Sequence, residues 1–302
     1  MSRVTPRFWL ASAALAAAVV LLALSCGVAG AAARVGSKAG LLEYAAPPRP
    51  AGVAPSYVVP AAPAHGSVAD FTFNLLPTNG VTARWTTLRN PAVGWHVYVP
   101  GGGARCKDGL RETVSVQAAR EKCLAATNSV PFSYAKKAEC FGPIVSDGRL
   151  VEPRSSSGVP TCIGLLRHNN SFVLGDNHVL TKMAHEMRFQ QLVCGFGWLV
   201  VNNRTVPSQE KLIAPRTAFG VDARGQLLSV VADGSEAVMK GLTLNQTADR
   251  MLRLGAVFAI NFDGGGSSTS FLESNGGVQG CPSDRDSYCC VERDVSAISC
   301  LK

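Results

Sequence analysis

The stretch "GLTLNQTADRMLRLGAVFAINFDGGGSSTSF", residues 241–271, contains the strongest fold signals in the chain. Thr243, with Gln246 three residues later, is typical of a capping box at the N-terminus of a helix. The apolar residues that follow recur at helical spacing and share one face, and Gly255 indicates where the helix ends. This stretch therefore predicts a helix followed immediately by a strand.

The predicted strand, "AVFAINF", covers residues 256–262 and is apolar through most of its length, which is typical of a buried strand. Asp263 and three glycines come directly after it, and strand signals on both sides argue against a flexible linker. Glycines allow positive φ and a close approach of backbone to ligand, so successive N–H groups can bind an anion. A carboxylate repels that same anion, so Asp263 and the glycine amides are expected to face different parts of one ligand at the strand end.

The pattern around the glycines differs from the familiar nucleotide-binding motifs. No Lys follows the glycines as a P-loop requires, and no G-x-G-x-x-G opens a helix. Ser267 and Ser268 also lack the G-x-S-x-G elbow of serine hydrolases. Nucleotide-dependent transferase chemistry is kept only as a third hypothesis.

The remainder of the chain from about Val68 alternates strand-like and helix-like pieces. Asp147-Gly148, between two apolar pairs, is a strong signal for a hairpin turn. We expect an α+β fold with a mixed or antiparallel sheet core and packed helices. Residues 68–302 are expected to form a single disulfide-bonded domain.

The N-terminal part predicts targeting and linker segments. The apolar run Phe8–Leu24, after Arg3 and Arg7, indicates a signal peptide within residues 1–33. At about 17 residues the run is at the lower edge of what spans a bilayer, so an uncleaved signal anchor remains the alternative. Residues 34–67 are rich in Pro and Ala and predict an extended linker or pro-segment.

Cysteines and sequons both favour an oxidising compartment. The chain has ten cysteines, among which Cys162 and Cys194 could pair. Asn169, Asn203 and Asn245 each begin an N-glycosylation sequon. The chain is therefore expected in the secretory pathway, secreted or lumenal, with membrane contact only if the N-terminal segment stays uncleaved.

Charge and histidine patterns exclude several classes of partner. The net charge of +8 falls to +6 without Arg3 and Arg7, and the remaining Lys and Arg form no long run. This argues against nucleic acid but suits an anionic substrate. His178, His185 and Glu186 lack the H-E-x-x-H spacing of a zinc site, so neither a metal nor a cofactor is expected.

Two stretches, "IAPRTAFGVDARGQLLSVVADG" (residues 213–234) and residues 241–269, together resemble the phosphodiester glycosidase family. The resemblance extends more loosely over about residues 100–302. It implies hydrolysis of a sugar-1-phosphodiester on a glycan or glycoprotein. A sugar such as N-acetylglucosamine would be released, and a phosphomonoester such as mannose 6-phosphate would remain.

The resemblance also implies roles for individual residues. Asp263 is placed near the anomeric carbon, as a base or a stabiliser of positive charge, and Arg216 becomes a bidentate phosphate clamp. Asn128 is a candidate for catalytic support. Arg216 paired with a structural carboxylate, and Asp233 as a turn residue only, are the alternatives. Further candidates for substrate or phosphate binding are Thr217, Asp233, Gly264, Gly265, Gly266 and Ser267.

Disulfide pairings follow from the resemblance as well. It implies Cys106–Cys140 and Cys123–Cys300, together with Cys281 bonded to Cys290 or Cys289.

The chain departs from the family pattern after Asn128. The family tends to carry Asn-Gly-x-x-Phe there, whereas this chain has Ser129 and Pro131. A second departure is Cys194, where relatives often have Ser. A catalytically impaired protein that binds glycan phosphate is therefore the alternative function.

Overall fold

The computed structural model describes residues 56–62, 71–78, 81–103, 105–133, 139–153, 160–283 and 290–302. All of them belong to one compact unit, Tyr44–Lys302. The predicted signal peptide lies outside the described residues, as does most of the predicted linker. The α+β class is confirmed: antiparallel sheets dominate and helices pack against them.

A six-stranded sheet forms one side of the core. Its order is β1-β9-β8-β10-β6-β7, and every pairing in it is antiparallel. The turn between β6 and β7 is Asp147-Gly148, so the predicted hairpin is confirmed. The strands are β1 (Ser56–Pro60), β6 (Ile144–Ser146), β7 (Arg149–Glu152), β8 (Thr161–Leu166), β9 (Ser171–Asp176) and β10 (Phe189–Gly195).

Strand β1 differs from the sequence expectation because it lies within the predicted linker, residues 34–67. It pairs with β9 from Ser56↔Gly175 to Pro60↔Ser171. The Tyr57 ring also packs against Trp198 and Phe258, at centroid distances of 5.7 and 4.5 Å. A short Pro-flanked segment is therefore ordered by edge pairing and aromatic burial, which composition alone does not reveal.

A seven-stranded antiparallel sheet carries Arg216 and Thr217, and the strands before Asp233 and Asp263 also belong to it. Its order is β12-β11-β15-β13-β14-β3-β2, so β15 and β13 are internal strands. The strands are β2 (Phe71–Thr78), β3 (Val81–Leu88), β11 (Gly197–Val201), β12 (Arg204–Thr205), β13 (Arg216–Asp222), β14 (Leu227–Ala232) and β15 (Ala256–Asn261).

A five-stranded antiparallel sheet combines two early strands with three strands that follow the glycine loop, residues 263–267. Its order is β17-β16-β5-β18-β4. The strands are β4 (Trp95–Tyr98), β5 (Ala125–Asn128), β16 (Ser270–Leu272), β17 (Gly277–Gln279) and β18 (Ile298–Leu301).

The helix predicted from the opening stretch is confirmed with its cap. Thr243 Oγ1 accepts from the Gln246 N–H at 3.2 Å, and Gln246 Oε1 accepts from the Thr243 N–H at 2.9 Å. None of the helices among the described residues has the length and apolarity needed to cross a bilayer. The helices are α1 (Pro91–Gly94), α2 (Val114–Glu121), α3 (Asn177–His185) and α4 (Leu244–Arg253).

Four disulfides connect the described residues. The structure contains the pairings that the resemblance implies for Cys106 and Cys123. It also contains the Cys162–Cys194 bond that the sequence left open, and it pairs Cys281 with Cys290 rather than with Cys289. Cys289 itself lies outside the described residues. The bonds are Cys106–Cys140, Cys123–Cys300, Cys162–Cys194 and Cys281–Cys290.

Phe262 links the main core to the glycine loop. It is fully buried and meets Phe219 of β13 edge to face, at 4.8 Å between ring centroids. Its N–H also donates to Thr217 O at 2.8 Å. Both the side chain and the backbone of Phe262, the residue before Asp263, are therefore fixed by contacts with β13.

Candidate active site

Asp263 lies at the junction of two sheets. The loop after β15 leads from the seven-stranded sheet to β16 of the five-stranded sheet. The Asp263 N–H donates to Ser129 O at 3.2 Å, just beyond the end of β5. Because β13 runs antiparallel to β15, its first residue, Arg216, lies at the same end of the sheet. The predicted position of Asp263 at the end of an internal strand matches the structure.

The carboxyl of Asp263 has an unusual environment. Burial raises its pKa from 3.8 to about 7, because a charged carboxylate loses solvation there. Hydrogen bonds from the Ser267 hydroxyl and the Gly264 N–H oppose this, as does the positive charge of Arg293, whereas Glu236 raises the pKa further. Asp263 still keeps partial contact with solvent. Such a group can both release and accept a proton near neutral pH.

Arg293 is the cation whose charge lowers the pKa of Asp263, and it borders the glycine loop. A Cβ atom at Gly266 would lie 2.5 Å from Arg293 Nη2, so the guanidinium covers this glycine. Arg293 Nη1 is also 3.5 Å from Ser267 Oγ. The absence of a side chain at Gly266 is therefore what allows an arginine fork beside Asp263.

The segment that carries Arg293 is anchored on both sides. Glu292 accepts from the Ser115 N–H at 3.0 Å and from the Ser115 hydroxyl at 2.5 Å, near the start of α2. Val295 and Glu112 exchange two backbone hydrogen bonds, and the Cys281–Cys290 disulfide lies just upstream. These contacts place Arg293 through residues far away in sequence.

Glu236 approaches the same loop from another side. Gly265 has φ of 56°, and a Cβ atom there would lie 2.5 Å from Glu236 Oε1. The left-handed backbone favours glycine at this position, and the absence of a side chain leaves room for the Glu236 carboxylate. Glu236 and Arg293 thus flank consecutive glycines of the loop.

Asn128 holds the loop rather than facing solvent. It is fully buried, and its Nδ2 donates to Asp263 O at 2.7 Å. Its Oδ1 accepts from the Thr217 hydroxyl at 2.9 Å and from the Thr269 N–H at 3.1 Å. Asn128 and Thr217 therefore position the Asp263 backbone and do not reach a ligand directly.

Ser129 does not require a glycine conformation. Only eight described non-glycine residues have positive φ, and Ser129 is not one of them. Its N–H donates to Ala297 O at 3.2 Å, while its carbonyl accepts from Asp263. The departure from the family pattern at Ser129 is accommodated without backbone strain.

Arg216 is occupied by the protein itself, which differs from the predicted phosphate clamp. Its Nη2 donates to Glu210 Oε1 and to Leu212 O, both at 2.8 Å, and its Nε donates to Leu242 O at 3.1 Å. Only 3% of its surface is exposed. These contacts support the alternative, in which Arg216 pairs with a structural carboxylate at the strand end.

Asp233, which the sequence predicted as a substrate-binding residue, forms an ion pair within the protein. Its Oδ2 is 2.7 Å from Arg84 Nη1, and both side chains are largely buried. Gly280 packs tightly against both partners, so a side chain there would collide with them. Asp233 lies at the same end of the sheet as Asp263 but is already neutralised.

Two of the three glycine amides, those of Gly264 and Gly265, already have acceptors within the protein, which differs from the open anion nest expected from the sequence. Gly264 donates to the Asp263 carboxyl, Gly265 donates to Pro215 O at 2.9 Å, and the Ser267 N–H returns to Gly264 O at 3.2 Å. The Ser267 hydrogen bond belongs to a short 3-10 turn over Gly265–Ser267. A side-chain cation, Arg293, also borders this loop at Gly266 and Ser267.

Sequence reasoning missed Arg293 and Glu236. Neither residue carries a motif, and the one local signal is that Glu236 follows the Asp233-Gly234 turn. No group of three or more His, Cys, Asp and Glu side chains gathers closely enough to hold a metal ion in the part of the chain described. His178 and His185 are both exposed on α3.

Comparisons with known proteins agree on one family. A family model described as phosphodiester glycosidase matches residues 121–301. N-acetylglucosamine-1-phosphodiester alpha-N-acetylglucosaminidase of Homo sapiens is 31% identical over 263 residues, covering 80% of this chain and 50% of that protein. The Mus musculus protein of the same name is 31% identical over 265 residues, covering 80% and 49%. The chain spans about half the length of these curated relatives.

Solved structures share the fold. The zebrafish catalytic domain of the same glycosidase, described as auto-inhibited by its pro-peptide, superposes with a TM-score of 0.69 at 27% identity. That match covers 86% of this chain and 92% of the zebrafish chain. A hypothetical protein from Synechocystis has a TM-score of 0.51 at 13% identity, covering 78% and 62%, and shows the fold alone.

Proposed function

The chain belongs to the phosphodiester glycosidase family, and from this premise we propose that it hydrolyses a sugar-1-phosphodiester at Asp263. The observation that supports this most is the Asp263 carboxyl. Its pKa is about 7, and an arginine, Arg293, borders the glycine loop that carries it. A carboxyl that exchanges a proton near neutrality suits acid–base chemistry. An adjacent guanidinium suits a phosphate.

The reaction needs one proton carrier. The bond between the anomeric carbon and the bridging oxygen breaks, its electron pair stays on that oxygen, and the Asp263 proton neutralises the leaving phosphate. Water then bonds to the carbon and returns a proton to Asp263. Because phosphate esters have a second pKa near 6, the leaving group needs less acid assistance than an alcohol does.

Arg293 is the phosphate clamp in this proposal. Its position over Gly266 supports the role, since its guanidinium borders the loop that holds Asp263. The sequence predicted that Asp263 faces the sugar and the glycine amides face the phosphate, and this proposal keeps only the first of these two roles. Asp263 acts at the sugar carbon and its bridging oxygen, while a side chain, not the glycine amides, binds the phosphate.

The substrate follows from the relatives' names. Both mammalian relatives are named for N-acetylglucosamine-1-phosphodiester and for release of alpha-linked N-acetylglucosamine. We propose the same sugar here, on a phosphorylated glycan or glycoprotein, with a phosphomonoester such as mannose 6-phosphate as the other product. The alternative of an impaired binding protein loses its motivation at Ser129, which the backbone accommodates.

The compartment is part of the proposal. Four disulfides among the described residues support an oxidising environment. Asn169, Asn203 and Asn245 are all exposed and are proposed as N-glycosylation sites. We propose secretory-pathway location, a signal peptide or anchor in residues 1–33, a linker or pro-segment in 34–67, and a catalytic domain in 68–302.

The test incubates the purified full chain with N-acetylglucosamine-phospho-mannose and measures free sugar. Asp263→Asn is expected to lower kcat roughly 10²- to 10⁴-fold, the range typical of a lost acid–base group. Asp249→Asn, an exposed change on α4, serves as the matched control and should retain wild-type turnover. Full activity in the Asp263 variant would contradict the mechanism, and saturable binding without product would favour the binding-protein alternative.

A further inference from the structure

The β1 segment, residues 56–62, lies inside the predicted linker but bonds to the core. Its strand pairs with β9 along its whole length of five residues. The backbone bonding continues past the strand, since the Ala61 N–H donates to Asn170 O at 3.1 Å. The segment is therefore fixed along one edge of the six-stranded sheet.

The same segment also bonds to the seven-stranded sheet. The Ala62 N–H donates to Gly225 O at 2.9 Å, in the turn between β13 and β14. Gly225 has φ of 75°, and a Cβ atom there would collide with Pro60 O and lie 2.6 Å from Ala62 N. The two backbones can approach this closely because position 225 carries no side chain.

Side chains of β1 alternate between the core and solvent. Val59 belongs to the main apolar core, and the Tyr57 ring packs against Trp198 of β11 and Phe258 of β15. Val58, between them, is 63% exposed. This alternation is typical of an antiparallel strand with one buried face, so β1 contributes side chains to the core that both sheets share.

Loss of the β1 segment would uncover groups that the folded chain now protects. Strand β9 would become the edge of its sheet, with a row of unpaired backbone groups. Trp198 and Phe258 would each lose an aromatic contact. A chain end stays ordered when it is bound as a strand of a sheet, so the contacts of β1 favour its retention.

We propose that residues 56–62 are a permanent strand of the catalytic domain, so that proteolytic removal of the predicted pro-segment stops before Ser56. The removable part is then residues 34–55, and the proposed start of the domain moves from residue 68 to residue 56. The inference goes beyond the proposed function, because it concerns the division of the N-terminal part and not the chemistry at Asp263.

Limited proteolysis of the purified full chain tests this boundary. Proteinase K is suitable because it cleaves with little sequence preference, whereas trypsin finds no Lys or Arg between residues 56 and 83. The resistant product, identified by mass spectrometry, should begin at or before Ser56. A resistant product that begins beyond Ser56 would overturn the proposal.

A pair of variants on β1 tests the core contacts. Tyr57→Ala should lower the melting temperature by roughly 5–10 °C, since it removes a packed aromatic ring, and should let proteinase K cleave within the segment. Val58→Ala, on the same strand but largely exposed, is the matched control and should change neither result. An unchanged melting temperature and product in Tyr57→Ala would contradict the proposal.

A pair of glycine variants tests the contact with the seven-stranded sheet. Gly225→Ala places a methyl group against Pro60 O, so the β1 segment should become open to proteinase K. Gly276→Ala is the matched control, because Gly276 has a similar φ of 82° but a Cβ atom there meets nothing within 4 Å. Equal cleavage of the segment in both variants would count against the proposal. None of these readouts needs a substrate, so they stand whether or not the chain cleaves a sugar phosphodiester.

Discussion

At the level of single residues, the raised pKa of Asp263 suits proton transfer, but ionisation of this carboxyl destabilises the folded protein. A buried carboxyl with a pKa near 7 is useful for proton transfer only because the folded protein disfavours its charge. The loop around it is correspondingly well determined. Asn128, fully buried, binds the Asp263 carbonyl and the two neighbouring segments at once.

Asp263→Asn is expected to stabilise the protein at high pH. The folded pKa of about 7 lies above the ordinary 3.8, so this carboxyl favours the folded state at low pH. That contribution is lost as pH rises from about 4 through 7. The variant should gain about 2–4 kcal/mol over wild type at pH 8, because raising a carboxyl pKa from 3.8 to about 7 corresponds to about 4 kcal/mol, and partial exposure of the carboxyl reduces this figure.

Urea denaturation at pH 4 and pH 8 measures this difference. The advantage of the variant should shrink towards zero at pH 4, where both proteins are uncharged at this position. The exposed Asp249→Asn serves again as control and should show no comparable dependence on pH. An equal advantage at both pH values would indicate that burial of the charge is not the cause.

At the scale of the element, the site is built by strand ends and by one anchored segment. Antiparallel pairing places the end of β15 beside the start of β13 and the end of β14. The proposed phosphate-binding cation, Arg293, does not lie at a strand end but on the segment between the Cys281–Cys290 disulfide and β18. Two arginines, Arg216 and Arg293, are therefore expected to differ in role.

Lysine substitution separates these two roles. Arg293→Lys keeps the charge but loses the fork, so KM for the phosphodiester should rise roughly tenfold or more, equivalent to about 1.4 kcal/mol. Arg216→Lys removes buried hydrogen bonds to Glu210 and two carbonyls, so it should cost roughly 1–3 kcal/mol of stability.

The measurements are steady-state kinetics and chemical denaturation on both variants. KM should remain near wild type for Arg216→Lys, provided the assay is run where the variant is folded. Should Arg216→Lys raise KM without loss of stability, and Arg293→Lys leave KM unchanged, the sequence-based assignment of the clamp to Arg216 would be restored.

At the scale of the whole molecule, covalent links join segments that are far apart in sequence. Cys123–Cys300 closes a loop of 177 residues and attaches the end of the α2 region to β18, whereas Cys281–Cys290 closes one of 9. The chain-entropy estimate gives about 5 kcal/mol for the long loop and about 3 kcal/mol for the short one. The longer link is expected to matter more for global stability.

Paired serine variants test this expectation. Cys123→Ser with Cys300→Ser should lower the free energy of unfolding more than Cys281→Ser with Cys290→Ser does. The second pair should instead raise KM, because Arg293 loses an upstream anchor. Equal stability losses, or an unchanged KM in the second pair, would contradict the separation of global and local roles.

Local sequence determined the parts of this protein that depend on neighbours along the chain. The capping box of Thr243 and Gln246, the hairpin at Asp147-Gly148 and the strand before Asp263 are each set by spacing over a few residues. The position of Asp263 at a strand end followed directly. The family resemblance added three disulfide pairings that spacing alone left open.

Tertiary structure decided which charges meet Asp263. Glu236 and Arg293 are 27 and 30 residues away from it along the chain, and the segment that carries Arg293 is held by contacts with residues still more distant in sequence. It also gave Arg216 and the amides of Gly264 and Gly265 partners within the protein, which a sequence motif does not reveal. The physical reason is that hydrogen-bond capacity and charge pairing are settled between elements only when the sheets close, and periodicity along the chain carries no record of those partners.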